Sequence, residues 1–269
     1  MAGDFSAEAD FLKIRGAERD AIVPKAQIQR IEALPWVAPR RTFAMDLDAQ
    51  WLAGRIFILV PLWLSLSVHE WAHAWAAWRL GDDTAARLGR MTLNPLAHVD
   101  PIGTILLPLL GIPFGWAKPV PVQPHRFHRS VTMRTGMMLT AIAGPVSNLC
   151  LAAVCLAVLA LVSRFRPMLA MPGQGVGMLL HMMIVLNVLL ATFNALPIPP
   201  LDGSRVADAL MPRALRPAWE EFCRLGPIAL VAVILLPLFA GVNLFSWPLK
   251  GTQIVIWWVR TLAGGGAAF

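Results

Sequence analysis

The chain has no tyrosine, three cysteines, and Asp, Glu, Lys and Arg at only 14% of its 269 residues. Each shortage excludes something. Without tyrosine, no phenol can donate a proton or steady a developing oxyanion. Cys150, Cys155 and Cys223 show no CxxC spacing, and two of them sit in an apolar run. They read as small buried hydrophobes, which excludes a disulfide framework and a thiolate metal site. A soluble domain carries roughly 25% charged residues, so the low charge excludes an ordinary soluble fold. The first twenty residues hold no apolar stretch of signal-peptide type, so a cleaved leader is not expected. There is no internal repeat.

Apolar residues fill the space. They make up 57% of the chain, and mean hydropathy is +0.61. Net charge is +7, but no basic stripe is interleaved with aromatics, so no nucleic-acid partner is expected. Lys and Arg in the flanks of membrane segments account for the charge, and the partner surface expected is a lipid bilayer. The eleven tryptophans mark membrane interfaces rather than a cofactor site.

The expected fold is an α-helical polytopic membrane protein with about four to six membrane segments. Residues 1–50 are polar, charged and broken by prolines, and read as an N-terminal extension with short helices at most. A core follows over 51–245, and an interfacial tail over 246–269. The first span is expected over Trp51–Leu80, the second over Met137–Val162, the third over Val176–Leu196 and the fourth over Ile228–Leu244. Residues 81–132 are too rich in Gly and Pro for a spanning helix. They predict a re-entrant, partly extended region between the first and second spans, with ILLPLLGIPF dipping in from one side.

The chemistry sits in His69-Glu70-Trp71-Ala72-His73. Positions i and i+4 share a helix face, so both imidazoles can reach one metal ion and Glu70 can reach its water. Three ionisable groups in an apolar span need a compensating role, since each charged one costs about 2.5–3.5 kcal/mol or more at mid-membrane. Two histidines and a water leave tetrahedral zinc one ligand short. The candidate is Asp202 in NALPIPPLDG, whose prolines break the third span. Taken alone, Asp202 reads better as a helix cap after a proline turn, but beside the HExxH motif the ligand reading is favoured. Gly115–Val122 reads either as an extended edge that pairs with an unwound peptide or as a plain surface loop. Trp116, Lys118 and Val120 are its candidate substrate contacts. His98, His125 and His128 read as surface or hydrogen-bonded residues, and His181 as a packed polar contact. Asn94 and Asp100 read as turn and capping groups. Asn187 and Asn194 can bond across helices, and Asn194 can serve carbonyls freed at Pro197.

These motifs resemble the site-2 protease family of intramembrane zinc metalloproteases. The resemblance lies in HEWAHAWAAWRLGDDTAARLGRMTLNPLAHVDPIGT, GWAKPVPV, AGPVSNL and FNALPIPPLDG, in that order, over residues 69 to 203. It is to the compact bacterial members without a PDZ or CBS domain. One departure is Ala195, where leucine is more usual. The resemblance implies one Zn2+ held by His69, His73 and Asp202, with Glu70 as general base. It implies Asn148, in Gly144-Pro145-Val146-Ser147-Asn148, as a residue binding substrate backbone or the oxyanion. It also implies a transmembrane protein or peptide as substrate, and a bacterial inner-membrane location with the active site nearer the cytoplasm. The alternatives are a catalytically silent scaffold or a metal-transport protein of the same fold.

Overall fold

The computed structural model describes residues 11–14, 21–24, 49–110, 115–171, 173, 175–240 and 246–263. The chain divides into two compact units, Met1–Asp48 and Ala49–Phe269. In the first, strands β1 (Phe11–Ile14) and β2 (Ala21–Pro24) pair antiparallel, with Leu12 opposite Val23 and Lys13 opposite Ile22. Short helices at most were expected there. The β-branched Ile14, Ile22 and Val23 favour extended backbone instead.

The second unit is helical. Its main helices are α1 (Ala49–Arg79), α2 (Met133–Phe165), α3 (Gly175–Asn194), α4 (Asp202–Leu210), α5 (Arg216–Arg224), α6 (Gly226–Ala240) and α7 (Ser246–Leu262). Among the described residues three helices are long and apolar enough to cross a membrane: Ile56–Arg79 of α1, then α2 and α3. The fourth expected span, Ile228–Leu244, falls on α6 as far as Ala240, and its residues 241–244 lie outside the described residues.

Helix α1 ends where its sequence dictates. Gly81 takes φ +106°, a left-handed conformation that suits glycine. Gly81 N–H then reaches Trp78 O at 3.0 Å, and Asp82 N–H reaches Ala77 O at 2.9 Å. This is the Schellman arrangement that satisfies the last carbonyls of a helix.

The region after α1 is built from short turns. Asn94 caps a 3-10 turn at Pro95–Ala97, and Asp100 caps a π-helical segment at Pro101–Leu106. Both residues act as the expected turn and cap groups. A single α turn follows at Leu107–Leu109. Trp63 Nε1–H donates to Thr104 O at 3.2 Å, which sets this segment beside the middle of α1. Residues 111–114 of the expected re-entrant run lie outside the described residues. The stretch 115–123 has no regular secondary structure and no strand partner among the described residues.

Packing runs α1 to α2 to α3, with α4 against α2 and α7 against α3 and α2. The apolar core gathers Cys155 and Leu159 of α2, Leu180, Met183 and Ile184 of α3, Ala170 and Ile256. Burial of such side chains is worth about 1.5–3 kcal/mol each for the larger ones. Ile256 places the tail helix α7 in this core, closer to the bundle than the expected interfacial tail.

Candidate active site

Helix α1 presents His69 and His73 one turn apart, as the spacing requires. His69 is buried at 5% exposure. Its Nε2 lies 3.0 Å from His73 Nε2. Asp202, the first residue of α4, sends Oδ2 to 3.2 Å from His69 Nε2 and 3.3 Å from His73 Nε2. The structure therefore brings together three groups that are remote in sequence. The proline-rich turn before α4 places the carboxylate there.

The protons decide what this triangle is. His73 Nδ1 lies 2.7 Å from Thr140 O, a carbonyl that can only accept. That nitrogen carries a proton, and in the neutral imidazole His73 Nε2 is left as a lone pair. His69 Nδ1 likewise faces Asn148 Oδ1 at 2.6 Å. Asp202 Oδ2 is buried and has no hydrogen-bond partner. With both imidazoles neutral, three acceptors face one another within 3.3 Å, an arrangement that a cation between them makes favourable. Ligands about 2.0–2.1 Å from a tetrahedral zinc lie about 3.3 Å apart, close to the separations found. The residues fit zinc on both chemistry and spacing.

Glu70 lies on the same turn, and its carboxylate is within 4.8 Å of ligand atoms of both histidines. It could itself be counted as a ligand. Asp202 is the better third ligand, because it is nearer both imidazoles and has nothing else to bond. Glu70 Oε2 instead accepts Val120 N–H at 2.8 Å.

Two features hold α2 and the 115–128 stretch in place. A Cβ at Gly144 would lie 2.5 Å from His73 Nε2 and 2.6 Å from His69 Cε1, so only glycine lets α2 pass this close to the imidazoles. Asp82, fully buried, accepts Gln123 N–H at 2.6 Å and Thr84 N–H at 3.0 Å. His128 N–H also donates to Leu80 O at 2.7 Å. The chain from Val120 to His128 is thereby pinned along the end of α1.

Asn148 requires a correction. It was expected to contact substrate or the oxyanion, yet it is wholly buried behind His69. Its Oδ1 faces the histidine, and its Nδ2 donates to Asn187 Oδ1 at 2.6 Å. Nδ2 also donates to Ser65 O at 3.4 Å, so both amide hydrogens point away from a substrate.

Trp116, Lys118 and Val120 have their backbones tied inward. Trp116 O accepts from Thr104 Oγ1 at 2.7 Å, Lys118 N–H reaches His98 O at 2.9 Å, and Val120 N–H reaches Glu70. These alternate residues use one side of an extended segment. Asn194 bonds within its own helix, to Leu190 O at 3.0 Å, rather than across the Pro197 break. Residue-type reasoning missed Asp82, Thr140 and Ser65. Thr140 acts through its carbonyl, which no residue type reveals. Asp82, a charge beside a helix-ending glycine, was the one readable signal.

Fold and site together define a membrane-embedded metallohydrolase of the HExxH type. The chain belongs to peptidase family M50, whose model matches residues 169–237. It is 40% identical over 194 residues to "Putative zinc metalloprotease YwhC" of Bacillus subtilis, covering 72% of this chain and 85% of that one. It is 35% identical over 228 residues to "Putative zinc metalloprotease Rip2" of Mycobacterium tuberculosis, covering 80% and 81%. The Mycolicibacterium smegmatis protein of that name is 34% identical over 196 residues, 69% of each chain. No solved structure matches the chain at a significant level. The protein is a metalloprotease and an integral membrane protein, and its relatives' names imply zinc.

Proposed function

We propose that the chain is a site-2-type intramembrane endopeptidase that uses one zinc ion to cut transmembrane segments of other membrane proteins. The observation that carries this is the convergence of His69 Nε2, His73 Nε2 and Asp202 Oδ2 within 3.3 Å, with Glu70 beside them on a membrane-spanning helix.

A bound zinc ion supplies a Lewis acid for the scissile carbonyl and lowers the pKa of water toward about 7. Glu70 takes a proton from the attacking water on its carboxylate and returns it to the leaving amine nitrogen. Val120 N–H holds Oε2 of that carboxylate, which orients the base. Peptide bonds in a transmembrane helix are shielded, so the substrate must unwind locally before it can be cut. The outward side of 115–123 suits such a peptide. Pro119 and Pro121 have no N–H, so that side offers carbonyl oxygens, of which Pro119 O has a long contact from Arg90 Nη2 at 3.4 Å, and a guest strand would supply the donors. The membrane proposed is the bacterial inner membrane, with the active site nearer the cytoplasm.

The test is a comparison of wild type with Glu70→Gln, each purified with lipid and analysed for metal and for cleavage of single-span reporter proteins. Both should hold about one zinc per chain, while the variant should lose about 10²-fold or more in rate. Equal cleavage by the variant, or a wild type without zinc, would overturn the proposal. Unchanged metal flux through both would favour the transport alternative.

A further inference from the structure

An imidazole binds a metal only through a nitrogen that carries no proton, so His69 must hold its proton on Nδ1. Asn148 has one direct main-chain contact, from its Nδ2 to Ser65 O at 3.4 Å, which is too long to enforce this by itself. Rotating its amide by half a turn would present Nδ2 to His69 and favour the opposite tautomer. Something has to hold the amide one way round.

The contacts behind Asn148 do so. Asn187 of α3 lies next to it, and both are 0% exposed, as is Ser65 of α1. Asn187 Nδ2 lies 2.8 Å from Met183 O and 2.8 Å from Ser65 Oγ. A backbone carbonyl can only accept, so Asn187 must aim its NH2 at Met183. Ser65 has already spent its own proton on Pro61 O, at 2.6 Å, and receives from Asn187. Asn187 Oδ1 is then left to face Asn148, and at 2.6 Å it can only accept from Asn148 Nδ2. Asn148 Oδ1 is thereby turned to His69 Nδ1, which must donate. Every bond has one permitted direction, fixed at the far end by main-chain oxygens.

We infer that Asn187 and Ser65, acting through Asn148, form a one-way hydrogen-bond relay that fixes His69 in its metal-binding tautomer. These are positioning residues, since none of them reaches the reacting atoms. The inference rests on the zinc reading above. Partners of this kind orient metal-bound histidines and raise their basicity. Polar glue between spanning helices would also explain buried asparagines, but it does not require that donors and acceptors run in one direction.

Two variants at Asn187 separate these roles in the full-length chain in micelles. Asn187→Leu keeps the approximate volume and breaks the relay. Asn187→Asp keeps it, because a buried carboxyl without a cation stays protonated. Its O–H can donate to Met183 O while its C=O accepts from Asn148. Zinc affinity, measured by chelator competition, should fall about 10–100-fold in Asn187→Leu and stay near wild type in Asn187→Asp. Wild-type affinity in the leucine variant would overturn the relay, and so would an equal loss in both. Nitrogen-15 shifts of His69 in the metal-free chain give a second reading. Wild type and Asn187→Asp should show a protonated Nδ1, and Asn187→Leu a mixture. A wild-type His69 protonated on Nε2 would overturn the relay even if neither variant folds. A wild type with protonated Nδ1 but no zinc uptake would leave the relay standing and sink the protease reading.

Discussion

Gly144 decides how near α2 comes to the two imidazoles. An added methyl group would sit 2.5 Å from His73 Nε2, against side chains already tied to Thr140 and Asn148. Overpacking of this kind costs about 1–3 kcal/mol. Gly144→Ala should lower zinc affinity about tenfold or more, as disturbed supports of metal-bound histidines do. Metal analysis after dialysis against a weak chelator, with circular dichroism to confirm the helices, checks this. Retention of zinc at the wild-type level would show that the helices yield. At this scale the sequence reveals local geometry well. His69, Glu70 and His73 were readable because one helical turn relates them. Asp202 was readable as a ligand only through the HExxH motif far from it in sequence, since on its own it reads better as a helix cap. Asn148 was legible as a residue near the site but not by its role. An amide's identity does not say whether it lies before or behind a histidine.

The stretch after α1 works as a unit held at three points: Glu70, Asp82 and Leu80 O. Its firmest attachment is the buried Asp82, which serves Gln123, Thr84 and, at 3.7 Å, Arg126 Nε. Asp82→Ala leaves buried donors unpaired, at about 1–3 kcal/mol for such a loss. The variant should become sensitive to limited proteolysis within residues 118–128. It should also cleave substrate more slowly while keeping its zinc, because Val120 no longer holds the base. Unaltered resistance and rate would show that the attachment is dispensable. Helices α1, α2 and α3 were foreseeable because apolar length alone defines them. The irregular region was foreseeable as irregular from its glycines and prolines. Its actual contacts were not, since they depend on main-chain groups that carry no residue-specific mark. The pairing of β1 with β2 was hidden by the charged residues around it.

Over the whole molecule, α2 spans 33 residues, or about 50 Å, enough to place its two ends on opposite sides of a bilayer. Leu96, in the turn after α1, and Met168, beyond the far end of α2, are both highly exposed. In a cysteine-free background, Leu96→Cys should react with an impermeant maleimide only from the cytoplasmic side, and Met168→Cys only from the other. The reverse pattern would invert the proposed orientation and leave the chemistry untouched. The site itself joins distant parts of this architecture. Its imidazoles come from α1 and its carboxylate from the start of α4, with two complete spanning helices between them in the chain. An ion shared by these groups acts as a clip across a very long loop. Clips of that kind restrict the unfolded chain most when the loop they close is longest. The atom that makes the protein reactive would therefore also help to keep it folded.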